Sequence, residues 1–327
     1  MKAWQVHRFG EPEEMVLAEV PPPEPGPDEV RIRTHAAGLN FFDLLQVRGQ
    51  YQFKPAFPFT PGAELAGVVD AVGEAVTDLA PGMRVTALPE LGAFAGFALA
   101  SASRAFPIPE GLGFDEAACL LVYHTSFFAL TTRGKLRPGE WLLVHAGASG
   151  TGMAAIQIGK ALGAHVIATA GSPAKLAFSL EQGADHALDY GAPAWVDRVK
   201  EITAGRGADV IYDPVGGDVF DLSTRCIAPG GRLLVVGFAS GRIPSLPANR
   251  ALLKQMSLVG VFWGQHVRQN PACLAETHAA LAGMHAEWQI RPVVWKRYEP
   301  AELPAALRAL DRRQVLGKAV LALGTGQ

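Results

Sequence analysis

The chain has 327 residues, of which 49% are hydrophobic and 18% charged, and its formal net charge is −2. This length is sufficient for two domains with well-buried cores. The near-neutral charge argues against a protein that binds nucleic acid or an acidic membrane surface.

The three cysteines, Cys119, Cys226 and Cys273, are far apart and form no C-x-x-C pair. This spacing argues against a disulfide framework or a zinc knuckle and favours reduced, mostly buried thiols. The first residues contain no apolar signal core. The most apolar segment, residues 117–130, is interrupted by His124 and is too short to cross a bilayer. We therefore expect a soluble cytoplasmic protein.

Residues 1–120 are rich in Pro and Gly and contain short strand patterns. Apolar and polar residues alternate over 30–34, as they do in a half-buried strand. A second strand pattern with glycines covers 65–73, and Pro81-Gly82 forms a turn that leads into another strand. These segments predict a compact, mainly antiparallel, barrel-like β domain.

From about residue 121 the pattern changes to alternating strands and helices. The candidate strands are 141–146, 165–169, 186–188, 208–213, 232–237 and 258–262, and the candidate helices are 152–162, 173–182, 194–203 and 219–227. Six strands with crossover helices predict a doubly wound parallel sheet, hence an α/β fold with a Rossmann domain over 121–265. One or two helices after residue 266 and short strands at 292–295 and 318–323 are expected to complete the first domain.

The most informative motif is the turn Val144-His145-Ala146-Gly147-Ala148-Ser149-Gly150-Thr151-Gly152, which lies between a predicted strand and a predicted helix. Glycines there let the backbone approach a pyrophosphate, and the N–H groups at a helix start point towards its oxygens. The glycine spacing is not a strict G-x-G-x-x-G. We predict pyrophosphate contacts from Ala148, Ser149, Gly150, Thr151 and Gly152. Alternatively, the two hydroxyl groups cap the helix.

The end of the second predicted strand identifies the nucleotide. NAD-binding domains usually carry an acidic residue there for the ribose 2′-hydroxyl, but this chain has none between Gly147 and Glu181. Ser172 and Lys175 follow the strand instead, and a hydroxyl with an ammonium group suits a 2′-phosphate. We therefore predict NADPH as the cofactor. Alternatively, Ser172 is the N-cap of a helix that begins at Pro173, and Lys175 is solvated.

With these features the chain resembles the medium-chain dehydrogenase/reductase superfamily and, within it, the zinc-independent NADPH:quinone oxidoreductases. The resemblance covers nearly the whole length and rests on residues 38–43, 61–69 and 146–152 and on the closing Gly317-Lys318. It implies a GroES-like, mainly β catalytic domain, over residues 1–120 and 266–327, beside the Rossmann NADPH-binding domain.

Departures from the zinc alcohol dehydrogenases define the branch. Asn40 and Ala63 stand where those enzymes carry Cys and His metal ligands, and residues 86–100 contain no cysteine of a structural zinc lobe. We therefore predict no metal. Alcohol oxidation needs a Lewis acid, whereas reduction of a quinone or an α,β-unsaturated carbonyl does not. Glu64, which remains beside Ala63, is interpreted as a structural carboxylate.

The resemblance places Asn40 and Tyr51 near the nicotinamide and the acceptor, as the catalytic pair. Alternatively, Asn40 stabilises a turn and Tyr51 is an amphipathic residue at a domain edge. Thr125 and Tyr190 are implied as cofactor contacts, and the alternative for Tyr190 is a surface aromatic residue. His124, next to Thr125, is interpreted as a packed core histidine.

Further cofactor contacts are expected where the fifth and sixth strands end, because these carboxyl ends face the ligand crevice of a parallel sheet. The residues concerned are Gly237, Phe238, Phe262, Trp263 and Gly264. Core packing is the alternative for Phe238. The resemblance also places Lys318 near the cofactor, and a surface lysine is its alternative.

These residues predict an NADPH-dependent quinone reductase acting on a small molecule. The alternatives are an enone, alkenal or enoyl-thioester reductase with the same cofactor, or a non-catalytic NADPH-binding protein. The apolar strand 258–262 would be an exposed edge in a monomer, so we predict a homodimer through it.

Overall fold

The computed structural model describes residues 1–324, which form fifteen β-strands and eleven α-helices. The strands are β1 (Lys2–Gln5), β2 (Val16–Glu19), β3 (Glu29–Gly38), β4 (Leu65–Val72), β5 (Arg84–Ala87), β6 (Phe97–Ser101), β7 (Ala105–Pro107), β8 (Trp141–Val144), β9 (His165–Ala170), β10 (His186–Asp189), β11 (Ala208–Asp213), β12 (Ile227–Val235), β13 (Ser257–Gly260), β14 (Val294–Tyr298) and β15 (Lys318–Ala322). The helices are α1 (Phe41–Val47), α2 (Phe114–Ala117), α3 (Leu121–Phe127), α4 (Gly150–Ala161), α5 (Pro173–Glu181), α6 (Trp195–Ile202), α7 (Gly217–Cys226), α8 (Ala248–Lys254), α9 (Trp263–Gln269), α10 (Cys273–Ala286) and α11 (Leu303–Asp311).

The chain divides into two compact units. Unit 1 comprises Met1–Leu121 together with the chain from Pro292 onward, and unit 2 comprises Val122–Arg291. Across residues 1–324, no helix combines the length and apolar character that a bilayer crossing requires.

Unit 1 is built on a seven-stranded sheet in the order β14-β15-β3-β4-β5-β7, with β6 also paired to β3. Its neighbouring strands are antiparallel except for the parallel pair β14 and β15. Along strand β3, buried and outward-facing residues alternate. Val30 and Ile32 are fully buried, while Arg31 between them points outward, and its Nε donates to Asp70 Oδ2 on β4 at 2.7 Å. This alternation buries one face of the sheet against the unit's core.

Unit 2 contains a six-stranded sheet in the order β10-β9-β8-β11-β12-β13, and every neighbouring pair is parallel. Counted within the unit, this is the doubly wound order 3-2-1-4-5-6. The central strands β8 and β11 are apolar runs because helices cover both faces of such a sheet. The predicted α/β class, with a mainly antiparallel β domain and a parallel six-stranded sheet, is confirmed.

The topological switch point of this sheet lies between β8 and β11, where the strand order reverses. Ligands of open parallel sheets bind outside the carboxyl ends of the strands at this point. Helix α4 packs closely against β8, since a Cβ atom on Gly159 would lie 2.6 Å from Leu142 Cδ2. The glycine turn that joins β8 to α4 is therefore held at the switch point.

Residues 266–291 belong to unit 2, whereas the sequence pattern assigns them to the first domain. Helices α9 and α10 bury Val267, Leu274 and Leu281. The ring of His266 stacks on Phe128 at a centroid distance of 4.5 Å, and residue 128 is itself in unit 2. These contacts tie the two helices to unit 2, and the chain re-enters unit 1 at Pro292.

Candidate active site

Most of the predicted cofactor residues share one edge of the unit 2 sheet, because all six strands are parallel and their carboxyl ends coincide. The segments that follow β8, β9, β10, β12 and β13 are 148–152, 172–175, Tyr190, 237–238 and 262–264, respectively. The sheet thus brings these dispersed residues to the same edge.

The glycine turn is held by a hydrogen bond and by close backbone packing within the turn itself. Ser149 is the N-cap of α4, and its Oγ accepts from Gly152 N at 3.1 Å. A Cβ atom on Gly152 would lie 2.1 Å from Ala146 O, so no larger residue fits without moving the turn. The capping role of Ser149 is therefore present. The cap uses the N–H of Gly152 and leaves the N–H groups of Gly150 and Thr151 to face a phosphate group.

A buried histidine anchors this turn, and the sequence pattern does not single it out. His145 Nδ1 lies 2.8 Å from Thr169 Oγ1 on β9, and Nε2 lies 2.7 Å from Ser223 Oγ on α7. Ser223 donates its own hydroxyl to Val219 O at 2.7 Å, so it accepts from a proton on Nε2. Burial lowers the pKa of His145 to about 3, and the ring is neutral.

Helix α3 reaches the start of α4 through a residue next to the predicted Thr125. Ser126 Oγ donates to Thr151 O at 3.1 Å and lies 3.0 Å from Tyr212 Oη. Thr125 itself is half-buried. The ring of its neighbour His124 packs against the ring of Trp263, with 6.0 Å between the two centroids. Thr125 and Trp263 therefore flank the same histidine, which matches the core role expected for His124.

The segment after β9 carries the predicted 2′-phosphate residues. Ser172 occupies the N-cap position of α5, but its side chain makes no capping hydrogen bond. Lys175 lies in the first turn of that helix. Tyr190 is beside them, since a Cβ atom on Gly171 would lie 2.8 Å from Tyr190 Oη. The structure thus gathers a hydroxyl, an ammonium group and a phenol where a dinucleotide ribose is bound in this fold.

A buried carboxylate, that of Asp213, closes the turn that follows β11. Asp213 Oδ1 accepts from Val215 N at 2.8 Å and from Gly216 N at 2.9 Å, and burial raises its pKa. Gly237 and Phe238 follow β12 beside this turn, and a Cβ atom on Gly216 would lie 3.0 Å from the Phe238 ring. Phe238 is partly exposed, which favours the predicted contact role over complete core packing.

In unit 1, three buried polar side chains form a closed cluster that we call the Asn40 cluster: Asn40, Glu64 and Lys318. Asn40 Nδ2 donates to Glu64 Oε1 at 2.7 Å. Lys318 Nζ donates to Asn40 Oδ1 at 2.8 Å and also to Glu64 Oε1. Leu121 N donates to Glu64 Oε2 at 2.8 Å, so both carboxylate oxygens have partners. Glu64 is thereby a structural carboxylate, in agreement with its interpretation from the sequence.

The expected contact of Lys318 with the cofactor needs correction. Its side chain is 2% exposed, and its third hydrogen bond goes to Leu39 O at 2.9 Å. All three ammonium hydrogens are therefore used inside unit 1. Lys318 serves Asn40 and Glu64 and has no donor left for a phosphate.

Asn40 is the N-cap of α1, and its main-chain N donates to Asp43 Oδ2 at 2.7 Å. Burial raises the pKa of Asp43 to about 8. Phe42, two residues after Asn40, is in the first turn of α1. Its ring packs against the ring of Tyr51 at a centroid distance of 5.5 Å. The structure therefore places the two predicted catalytic residues, Asn40 and Tyr51, around the start of the same helix.

Within residues 1–324, no three His, Cys, Asp or Glu side chains are grouped so that they could hold a metal ion.

Comparison with known proteins identifies the family. Residues 26–110 match the alcohol dehydrogenase GroES-like domain, and residues 150–279 match the zinc-binding dehydrogenase family. The chain is 37% identical to the quinone oxidoreductase-like protein 2 of Bos taurus, over 94% of this chain and 89% of that protein.

Two solved structures are similar in fold and sequence. A mycobacterial protein complexed with NADPH superimposes with a TM-score of 0.93 at 33% identity, over 98% of this chain and all of that one. Escherichia coli quinone oxidoreductase complexed with NADPH gives a TM-score of 0.91 at 28% identity, with the same coverage. The chain belongs to the medium-chain dehydrogenase/reductase superfamily, in its zinc-independent quinone oxidoreductase group.

Proposed function

We propose that this protein reduces quinones by transferring a hydride from NADPH. The carrying observation is the glycine turn at the switch point of the sheet, next to a second strand that ends without a carboxylate. NADPH is the cofactor, and when bound it supplies the hydride. The two related structures that contain NADPH support this assignment.

The residues of unit 2 fit the two phosphate regions of this cofactor. Gly150 and Thr151 offer their backbone N–H groups at the start of α4 to the pyrophosphate. Gly152 lets the turn close tightly beneath them, because a Cβ there would meet Ala146 O at 2.1 Å. Ser172 and Lys175 hold the 2′-phosphate, since the hydroxyl is not used in capping and the ammonium group attracts the anion. Phe238 and residues 262–264 orient the nicotinamide.

The residues of unit 1 act on the acceptor. Asn40 donates an amide hydrogen, and Tyr51 a phenolic hydrogen, to the oxygen on which negative charge develops during reduction. Preorganised donors of this kind stabilise the oxyanion more than the ground-state carbonyl, and that difference accelerates the reaction.

Turnover with a panel of acceptors tests the reaction. Purified protein is mixed with NADPH or NADH and with quinones, alkenals or acyl thioesters, and loss of the reduced cofactor is followed by absorbance. We expect turnover of quinones with NADPH preferred. Turnover of alkenals or thioesters alone would replace the quinone assignment, and binding of NADPH without turnover of any acceptor would indicate a non-catalytic protein.

The cofactor preference has its own test. Reversing the charge at Lys175 (Lys175→Glu) is expected to raise KM for NADPH by roughly tenfold or more, and to leave KM for NADH nearly unchanged. The matched control is Lys200→Glu, a surface lysine of α6 that pairs with Asp197. Equal losses with both nucleotides would remove Lys175 from the 2′-phosphate site.

We also propose that the protein is a cytoplasmic homodimer. Strand β13 is the edge of the unit 2 sheet, and Leu258 and Phe262 on and beside it are about half exposed. Pairing of two β13 strands would satisfy the open backbone groups and cover these side chains. A monomer mass by light scattering at micromolar protein concentration contradicts the dimer, and recovery from intact cells in a membrane or extracellular fraction contradicts the cytoplasmic location.

A further inference from the structure

We infer that Lys318 and Glu64 hold the side-chain amide of Asn40 in one fixed orientation, so that Asn40 meets a bound acceptor as a hydrogen-bond donor. Lys318 is then a positioning residue for the reaction. This assignment deepens, and rests on, the proposed reduction of a carbonyl compound.

The chemistry of the two neighbours fixes the orientation of the amide. A lysine ammonium group has donors and no acceptor, so the Asn40 atom 2.8 Å from Lys318 Nζ must be the oxygen. An ionised carboxylate has acceptors and no donor, so the atom 2.7 Å from Glu64 Oε1 must be the nitrogen. The two contacts give the same answer independently.

The neighbours are themselves held by backbone groups. Lys318 Nζ is tied to Leu39 O at 2.9 Å, and Glu64 Oε2 is tied to Leu121 N at 2.8 Å. Lys318 and Glu64 are 2% and 1% exposed, so water does not compete for these bonds. Neither partner can turn to follow the amide.

A reversed amide would lose both contacts. Its NH₂ group would face the ammonium hydrogens of Lys318, and its oxygen would face the carboxylate of Glu64. Both pairings are repulsive, and the low polarity of a buried site strengthens the repulsion.

One amide hydrogen of Asn40 is left for a ligand. The oxygen accepts from Lys318, and one of the two hydrogens is donated to Glu64. The partner of that hydrogen must carry an acceptor oxygen, as a quinone, an enone or the oxyanion formed from either does.

Side-chain NMR tests the orientation without any turnover. The chain has three asparagines, Asn40, Asn249 and Asn270, so protein labelled with ¹⁵N on asparagine gives three NH₂ pairs. Asn249 and Asn270 are exposed and act as internal references. In the Lys318→Met variant we expect the Asn40 pair alone to shift and to exchange faster with solvent. An unmoved Asn40 pair would overturn the inference.

A second variant protects this test against loss of folding. Lys318→Met leaves Glu64 without its cation, whereas the double variant Glu64→Gln with Lys318→Met removes both charges. The amide oxygen that Glu64→Gln introduces would still accept from Asn40 Nδ2, so the change at the Asn40 oxygen is isolated. The Asn40 signals are expected to change in the double variant also, and the two reference pairs to stay in place.

Kinetics test the link to the reaction. We expect Asn40→Ala to lower kcat by roughly 100-fold, as loss of an oxyanion donor does, and Lys318→Met to lower it at least about tenfold. Neither change should alter the Kd of NADPH by more than about twofold, since the effect is placed on the acceptor. Combined in one chain, the two changes should be no slower than Asn40→Ala alone.

The outcomes distinguish failure of the positioning role of Lys318 from failure of the proposed function. Additive losses in kcat would show that Lys318 does not act through Asn40, and would overturn its positioning role. Absence of turnover by the wild-type protein with every carbonyl acceptor refutes the proposed function. The Asn40 NMR signals still decide the amide orientation in that case.

Discussion

At the scale of single residues, the ion pair of Glu64 and Lys318 is the most sensitive point in unit 1. Both side chains are almost completely buried, and removing one partner of such a pair leaves an uncompensated charge out of water. Lys318→Met is therefore expected to lower the free energy of unfolding by about 3–5 kcal/mol. Urea denaturation followed by circular dichroism measures the change.

The double variant of Glu64→Gln with Lys318→Met serves as the control, because it leaves no buried charge. It should recover most of the lost stability, since neutral replacements of a buried pair are often tolerated. If the double variant is as unstable as Lys318→Met alone, the loss comes from packing and not from the unpaired carboxylate.

His145 makes the stability depend on pH. Folding lowers its pKa from 6.5 to about 3, so between these values the unfolded chain binds a proton that the folded chain does not. The free energy of unfolding therefore falls as the pH decreases from 6.5 towards 3, by up to about 1.4 kcal/mol per pH unit.

The comparison with His145→Gln isolates this contribution. Glutamine does not titrate, and its amide can still donate to Ser223. We expect the variant to be less stable than wild type at pH 7 and the difference to shrink below pH 6.5. Urea denaturation at pH 7, 6, 5 and 4 measures it. A difference that stays constant across these values would show that His145 is not the titrating group.

At the scale of elements, the unit formed by β8, the glycine turn and α4 depends on Gly152. Its missing Cβ leaves room for Ala146 O, which would otherwise be 2.1 Å away. Gly152→Ala must displace the turn, so we expect NADPH affinity to fall by roughly 100-fold or more, or about 3 kcal/mol. Isothermal titration with NADPH measures the Kd.

Gly283→Ala is the matched control for this substitution. Gly283 lies in helix α10, and a Cβ there meets no atom within 4 Å. The change should leave the Kd of NADPH unaltered and stabilise the fold by about 0.4–1 kcal/mol. Equal NADPH affinity in Gly152→Ala and wild type would exclude the turn as the pyrophosphate site.

The sequence predicts this region well because its signals are local. Buried parallel strands are apolar runs, and a glycine turn between a strand and a helix is typical of a nucleotide-binding unit. The Asn40 cluster is different, since Lys318 and Asn40 are 278 positions apart in the chain. No pattern within a short window shows that β15 brings that lysine to the start of α1. His145 is similar, because Thr169 and Ser223 come from separate elements.

At the scale of the whole molecule, the open edge of the unit 2 sheet predicts the association state. A lysine at the exposed Leu258 of β13 would place charges at the centre of the proposed strand pairing. Leu258→Lys is expected to give a monomer in light scattering, and wild type a dimer. Val16→Lys on β2 is the control, since Val16 has the same 48% exposure as Leu258. Dimers in both variants would move the interface elsewhere.

The placement of residues 266–291 shows the limit of sequence patterns at this scale. The helical pattern of α9 and α10 is visible, but helices can cover either unit. The apolar residues of these helices, Val267, Leu274 and Leu281, are buried. Their apolar character alone does not show which of the two cores they pack against. Their assignment depends on contacts such as the stacking of His266 on Phe128.

The position of β15 has a consequence for synthesis. This strand lies between β14 and β3, second from one edge of the unit 1 sheet, and Lys318 is its first residue. On the ribosome, the N-terminal 121 residues therefore have an incomplete sheet while unit 2 is translated. They gain β14 and β15, and Asn40 its lysine, after residue 322 has emerged. The nascent chain thus carries an open β edge on β3 until β15 has been made, and such an edge can pair with strands of other chains.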